Sequence, residues 1–93
     1  MLDKKSLSVL KVLNKLTDGT AYKVTTSDEI ISMLTQKAQY DNDSIRQIMD
    51  FLEKQEYLTI KFSEENTYSY SLLPKARIVI EQESGKPKAN RNS

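Results

Sequence analysis

The sequence predicts an α+β domain with a three-helix core, a two- to three-stranded β region and a C-terminal helix. Two adjacent patterns support this fold class. Over residues 42–55, apolar side chains recur at helical spacing and form one stripe. The stripe consists of Ile45, Ile48, Met49 and Leu52. After Gln55 the apolar positions alternate, which is typical of a strand with one buried face. These positions are Leu58, Ile60 and Phe62.

The first helix is predicted over residues 4–18. Asp3 is placed to cap its first turn, and Gly19 follows where a left-handed residue is favoured. The apolar residues of this helix cover a wide arc, formed by Leu7, Val9, Leu10, Val12, Leu13 and Leu16. Such an arc fits either burial on two sides of a small core or a contact between two copies. We expect a homodimer through the first and last helices.

A short strand is predicted over residues 20–25, where it would pair with the later hairpin. The second helix is predicted over residues 26–37. Thr26 and Glu29 have the spacing of a capping box at its start. Residues 36–41 would then form the turn of a helix-turn-helix.

The third helix is predicted over residues 42–55, with Asp41 as its N-cap. The hairpin that follows should span residues 57–72, with Asn66 as the tip residue best suited to positive φ. Pro74 fits the first position of the last helix, which is predicted over residues 74–83. Residues 84–93 are polar and basic and should form a disordered tail, which leaves residues 1–83 as the domain. We expect a buried core that contains Leu10, Leu13, Ile30, Leu34, Ile45, Ile48, Leu52, Leu58, Ile60 and Leu72.

Composition limits the functions that the chain can perform. The 93 residues include neither Cys nor His, so no zinc finger, Cys nucleophile or His general base is possible. We therefore expect no enzyme, no metal site and no cofactor, and no small-molecule ligand is evident. No apolar stretch reaches the ~20 residues of a membrane span, and a cytoplasmic protein is expected.

The small net charge hides an asymmetry along the chain. The whole chain has 14 basic and 13 acidic side chains, and residues 84–93 hold three of the basic ones and no acid. Residues 1–83 therefore have 11 basic and 13 acidic side chains, a net charge of −2. An acidic domain lacks the usual electrostatic attraction for nucleic acid.

Two segments carry a family resemblance. The run from Ser44 to Leu58, with its Leu-Glu-Lys at 52–54, resembles the recognition helix and following strand of bacterial winged helix-turn-helix regulators. The run from Leu72 to Arg77 is similar to the Leu-Thr-Pro-Lys-Gly-Arg that often opens their last helix. Glu56 stands where the family usually has Gly, so a left-handed conformation there would be strained and the helix end is expected to differ. Ala76 replaces a second Gly and favours helix.

The resemblance implies a transcriptional regulator in which the third helix enters the major groove of double-stranded DNA. The residues that it assigns to DNA are Asn42, Arg46, Gln47 and Lys54, with Lys61 and Lys23 available for the backbone. Acidic side chains oppose this assignment at Asp43 and Asp50 and at Glu64 and Glu65 of the hairpin tip. The alternative is a winged-helix module that binds another protein and not DNA.

Overall fold

The computed structural model describes residues 2–18 and 20–85, with side chains described up to residue 83. Within these residues it contains four α-helices and a three-stranded antiparallel sheet with strand order β1-β3-β2. The predicted α+β class is therefore confirmed. The elements are α1 (Lys4–Thr17), β1 (Lys23–Thr26), α2 (Ser27–Ser32), α3 (Asn42–Lys54), β2 (Leu58–Glu64), β3 (Thr67–Leu72) and α4 (Pro74–Gly85), with a 3₁₀ turn at Lys37–Gln39.

The N-caps lie where the sequence placed them. The amide of Ser6 donates to Asp3 Oδ1 at 3.0 Å, and the amide of Glu29 donates to Thr26 Oγ1 at 3.1 Å. At α3 the cap is reciprocal, because Ser44 N donates to Asp41 Oδ1 and Asp41 N donates to Ser44 Oγ, both at 2.8 Å. These bonds satisfy amides that the first turn of a helix leaves unpaired.

The second helix is shorter than predicted, since α2 ends at Ser32 and not near residue 37. The Ser32 hydroxyl donates back to the Glu29 carbonyl at 2.7 Å, and Met33 N bonds to Ile30 O at 3.1 Å. These short-range bonds tighten the last turn and replace the i→i−4 ladder. The connection to α3 consequently covers residues 33–41 and includes the 3₁₀ turn, so the predicted turn at 36–41 is too short.

Helix α3 is followed by a residue in the left-handed conformation, which was not expected from the sequence. Glu56 has φ 65°, so the expectation of a different helix end is wrong. Tyr57 N donates to Leu52 O at 2.9 Å, and Glu56 N donates to Glu53 O at 3.0 Å. This bond pattern is the Schellman motif, in which glycine is usually the left-handed residue. The closing bonds and the buried Tyr57 outweigh the cost of the Glu56 Cβ.

Four further local expectations shift by one or more residues. The first strand begins at Lys23 and not at residue 20. The left-handed residue after α1 is Asp18, with φ 46°, and Gly19 lies outside the described residues. At the hairpin tip the positive φ of 55° belongs to Glu65 and not to Asn66. Helix α4 runs on to Gly85, so the predicted disordered tail over residues 84–93 is wrong for its first two residues, and residues 86–93 lie outside the described residues.

A β-bulge between Ile60 and Phe62 changes the face on which the end of β2 presents its side chains. The extra residue shifts the alternation, so Phe62 is 53% exposed, contrary to the predicted buried face. In the sheet register Val24 and Phe62 both pair with Ser69, from opposite sides. Ser69 is accordingly buried between two larger exposed neighbours on the outer face of the sheet.

The core lies between the helices and the inner face of the sheet. Of the ten predicted core residues, seven are buried: Leu10, Leu13, Ile30, Leu34, Ile45, Leu52 and Leu58. Ile48, Ile60 and Leu72 are only partly buried, so their prediction as fully buried is wrong. Four residues of the wide apolar arc of α1 lie in this core, namely Val9, Leu10, Val12 and Leu13. The arc thus has an explanation within one chain.

Candidate functional site

The exposed face of α3 follows from its buried stripe. Ile45, Met49 and Leu52 have no exposed surface, and they turn the opposite side of the helix towards solvent. That exposed side carries four charged residues, Asp43, Arg46, Asp50 and Lys54, together with Gln47. Its formal charge is zero.

Both cations of this face are paired with acids of the same helix. Arg46 Nη1 lies 3.5 Å from Asp43 Oδ1, and Lys54 Nζ lies 3.2 Å from Asp50 Oδ2. The spacings of three and four residues bring such pairs together on a helix. Exposed pairs of this kind contribute about 0.5 kcal/mol or less, so they orient Arg46 and Lys54 without locking them.

The tip of the β2–β3 hairpin is fastened to the starts of α2 and α3. The Asn66 carbonyl accepts from Ser27 N at 2.8 Å, and the Asn66 side chain accepts from Arg46 Nη2 at 3.4 Å. The fully buried Ser27 donates its hydroxyl to Asn42 Oδ1 at 2.7 Å. The hairpin and α3 therefore present one continuous surface around Arg46.

Tyr68 of β3 lines the same cleft as Arg46 at this junction. Its ring is buried, and its hydroxyl makes no hydrogen bond of standard geometry with another described residue. Burial raises the pKa of the Tyr68 phenol, and the nearby Arg46 guanidinium offsets part of this rise. The guanidinium thus has Asp43, Asn66 and Tyr68 around it, from α3, the hairpin tip and β3.

A cleft of about 270 Å³ separates α3 from β2, and we call it the α3–β2 cleft. Arg46 and Lys61 both line it, and so do the carboxylates of Asp50 and Glu53. Glu53 Oε2 accepts from the amide of Ile60 at 3.2 Å, on the free edge of the sheet. This bond supports the strand next to its bulge, so we assign Glu53 a structural role.

The structure brings only some of the predicted DNA-binding residues together. Arg46 and Lys61 both line the α3–β2 cleft. Asn42, at the start of α3, accepts a hydrogen bond from the Ser27 hydroxyl. Gln47 lies on the other side of the α3 face, beside Phe51 and the start of α1. Lys23 is on β1, which β3 separates from β2, so it stands two strands away from Lys61.

Sequence reasoning missed the two hairpin residues next to Arg46. Neither contact is readable from the local sequence, because Asn66 and Tyr68 lie 20 or more positions from Arg46 along the chain. The pairing of Arg46 with Asp43 and of Lys54 with Asp50 was readable from their spacing.

Metal binding and membrane insertion gain no support from the described residues. Among residues 2–18 and 20–85, no group of three or more His, Cys, Asp or Glu side chains is arranged to hold a metal ion. None of the helices in that part of the chain is long and apolar enough to cross a membrane. Comparisons with protein-family models, with curated proteins and with solved structures found no match for this chain.

Proposed function

We propose that this chain is a winged helix-turn-helix protein that binds double-stranded DNA as a transcriptional regulator. In this proposal α2 and α3 form the helix-turn-helix, α3 lies in the major groove, and the β2–β3 hairpin is the wing. The order of helices and strands along the chain and the strand order β1-β3-β2 are compatible with that architecture.

The observation that carries the proposal is the position of Arg46. Its guanidinium is on the exposed face of α3 and is oriented by Asp43 of the same helix and Asn66 of the hairpin. An oriented arginine can donate two parallel hydrogen bonds to a guanine edge. Lys61 lines the same cleft, and in this proposal it contacts a neighbouring phosphate.

A second candidate function is a winged-helix module that binds a protein. Two observations favour it: the exposed face of α3 has no net charge, and the hairpin tip carries Glu64 and Glu65, both exposed. Each acid near the phosphate backbone opposes the counterion release that supplies most non-specific DNA affinity. Such a mixed-charge surface suits a partner that also presents both signs of charge.

The regulator proposal predicts a specific effect of Arg46→Ala. Duplexes that bind should first be selected from a randomised pool at low salt, and affinities then measured by fluorescence anisotropy. Arg46→Ala should cost about 1–3 kcal/mol on the selected duplex and relax the preference at one base position. Absence of any salt-dependent binding by the unaltered chain, or unchanged binding by the Arg46 variant, would refute this use of α3.

A charge reversal at the hairpin separates phosphate contacts from base contacts. Glu64→Lys should raise the affinity for all duplexes alike. It should also steepen the slope of log affinity against log salt concentration by roughly one, which corresponds to one more released counterion. Glu81→Lys on α4 makes the same charge change on an exposed residue outside the proposed interface. If the two variants behave alike, the hairpin does not contact DNA.

Dimerisation through α1 and α4 stays a prediction. The α1 arc is largely buried in its own core, and on α4 the exposed large apolar side chain is Ile78, at 55%. Sedimentation at tens of micromolar distinguishes a dimer from a monomer of 10.7 kDa. A monomer could still bind a single half-site through α3, but the prediction of a palindromic operator would then be wrong.

A further inference from the structure

The most basic element of the described chain is α1 and not α3. It carries Lys4, Lys5, Lys11 and Lys15, all exposed, and no acid between residues 4 and 17. Lys4, Lys11 and Lys15 are seven and four residues apart, which places them on one face over about 16 Å of helix. None of these three lysines forms an ion pair with another described residue.

A groove of about 430 Å³ lies beside this face, and we call it the α1 groove. One wall is the first half of α1, with Lys4 and Lys11, and the other is the connection from α2 to α3. Lys5 bridges the walls, because its Nζ donates to Gln39 O at 3.2 Å and lies 5.4 Å from the centre of the Tyr40 ring. No lining residue comes from α3 or the hairpin, so this surface is separate from the proposed DNA interface.

The lining combines positive charge with apolar surface. The partly exposed Leu7 and Tyr40 lie among the lysines, and one acidic residue, Glu83, also lines the groove. Exposed ammonium groups attract carboxylates, whereas the leucine and tyrosine surface is covered favourably only by another apolar group. A ligand that matches both features is acidic and carries large apolar side chains.

We propose that the α1 groove binds an acidic peptide segment of a partner protein, in which carboxylates alternate with large apolar side chains. A DNA backbone supplies the negative charge but no apolar side chain, so it would leave Leu7 and Tyr40 uncovered. The hairpin tip of a second copy carries Glu64 and Glu65 and one nearby exposed apolar side chain, Phe62, but the exposed Lys61 beside it has the same charge as the groove. The mixed lining therefore favours a peptide over either alternative.

The test uses the full chain and two fluorescent synthetic peptides, one of glutamate and leucine and one of glutamate and serine. The leucine peptide should bind about tenfold more tightly, because it alone covers the apolar surface. Its affinity should fall as salt rises, since the lysines are exposed to solvent.

Two lysine variants form a matched pair. Lys11 and Lys15 lie on the same face of α1, are both exposed, and undergo the same charge change in Lys11→Glu and Lys15→Glu, but only Lys11 lines the groove. Lys11→Glu should weaken the leucine peptide about tenfold and Lys15→Glu less than about twofold, because only the first places a like charge against the bound carboxylates.

Several results would overturn the proposal. Equal affinity for the two peptides, or equal losses in Lys11→Glu and Lys15→Glu, would mean a diffuse basic surface and no groove site. If the unaltered chain binds no peptide and Lys11→Glu loses duplex binding, α1 is a phosphate-binding element. Self-association abolished by both Lys11→Glu and Glu64→Lys would make the occupant a second copy. Arg46→Ala should leave peptide binding unchanged, so a failure of the DNA proposal is recognised separately.

Discussion

Two tyrosines of β3 differ in what their hydroxyl groups reach. Tyr70 is fully buried and donates its hydroxyl to the Leu13 carbonyl at 2.7 Å, and burial raises the pKa of its phenol. Tyr68 is buried to nearly the same extent, but its hydroxyl has no hydrogen-bond partner among the described residues. A buried hydroxyl stabilises a fold only when it is hydrogen-bonded, and otherwise its desolvation is a cost.

Substitution by phenylalanine should therefore have different effects at the two positions. Tyr70→Phe removes a buried bond and should lower the free energy of unfolding by about 1 kcal/mol. Tyr68→Phe removes only an unpaired hydroxyl and should change it by less than about 0.5 kcal/mol, or raise it. Chemical denaturation of the two variants measures the difference. Equal losses would mean that the hydroxyl of Tyr68 is bonded in solution, with Arg46 as the nearest donor.

At the scale of the element, α3 ends in a Schellman motif whose left-handed position is occupied by Glu56 and not by glycine. The Schellman bonds from Tyr57 and Glu56 hold position 56 at φ 65°, where a Cβ is strained. Glycine adopts this conformation without that strain. The same position is where the sequence departs from the winged-helix pattern that it resembles.

Glu56→Gly should consequently stabilise the protein by about 0.5–1 kcal/mol. Gln55→Gly is the matched control, because the neighbouring residue has φ −86° and gains nothing from glycine. That control should lower the free energy of unfolding by about 0.5–1 kcal/mol through the added chain entropy of the unfolded state. Thermal and chemical denaturation should agree on the opposite signs, and destabilisation by Glu56→Gly would show that the acidic side chain makes a compensating contact.

The elements also differ in how far the sequence alone predicts them. Asp3, Thr26 and Asp41 cap their helices through bonds that span three residues, so the local pattern is sufficient. The bulge at 60–62 and the tie between Asn66 and Ser27 depend on partners far along the chain. Local periodicity therefore predicted that the three strands exist, but it placed the start of β1 too early and Phe62 on the wrong face.

For the candidate site, the sequence identified Arg46 but not what surrounds it. The exposed face of α3 follows from helical periodicity, and Arg46 is exposed as predicted. Its hairpin neighbours Asn66 and Tyr68 become visible only when β2 and β3 have folded back against α3. The charge of α1 was likewise present in the sequence, but the groove beside it required the unexpected course of residues 33–41.

At the scale of the whole molecule, positive charge is concentrated away from the proposed reading helix. Four lysines lie on α1, while the exposed face of α3 is neutral and the hairpin tip is acidic. Long-range electrostatic attraction would accordingly draw a nucleic acid towards α1 more than towards α3. A partner with acidic segments could occupy α1 while α3 remains available for DNA, so the two proposed activities are compatible on one small domain.

The fold that holds these surfaces depends on a small core, and Leu52 is its most instructive member. Its side chain has no exposed surface, and its carbonyl accepts the Tyr57 bond that closes α3. Leu52→Ala should lower the free energy of unfolding by about 2–5 kcal/mol, through lost transfer energy and the cavity left behind. A small domain typically has a free energy of unfolding of about 5–15 kcal/mol, so this loss is a large share of it.

Phe51→Ala is the matched control, because Phe51 is the neighbouring residue and is 39% exposed. Truncation there should cost less, since much of its surface is already in water. Denaturant titration gives both values, provided that the slope of the free energy of unfolding against denaturant concentration stays the same. A loss under about 1 kcal/mol for Leu52→Ala would mean that the core rearranges to fill the space.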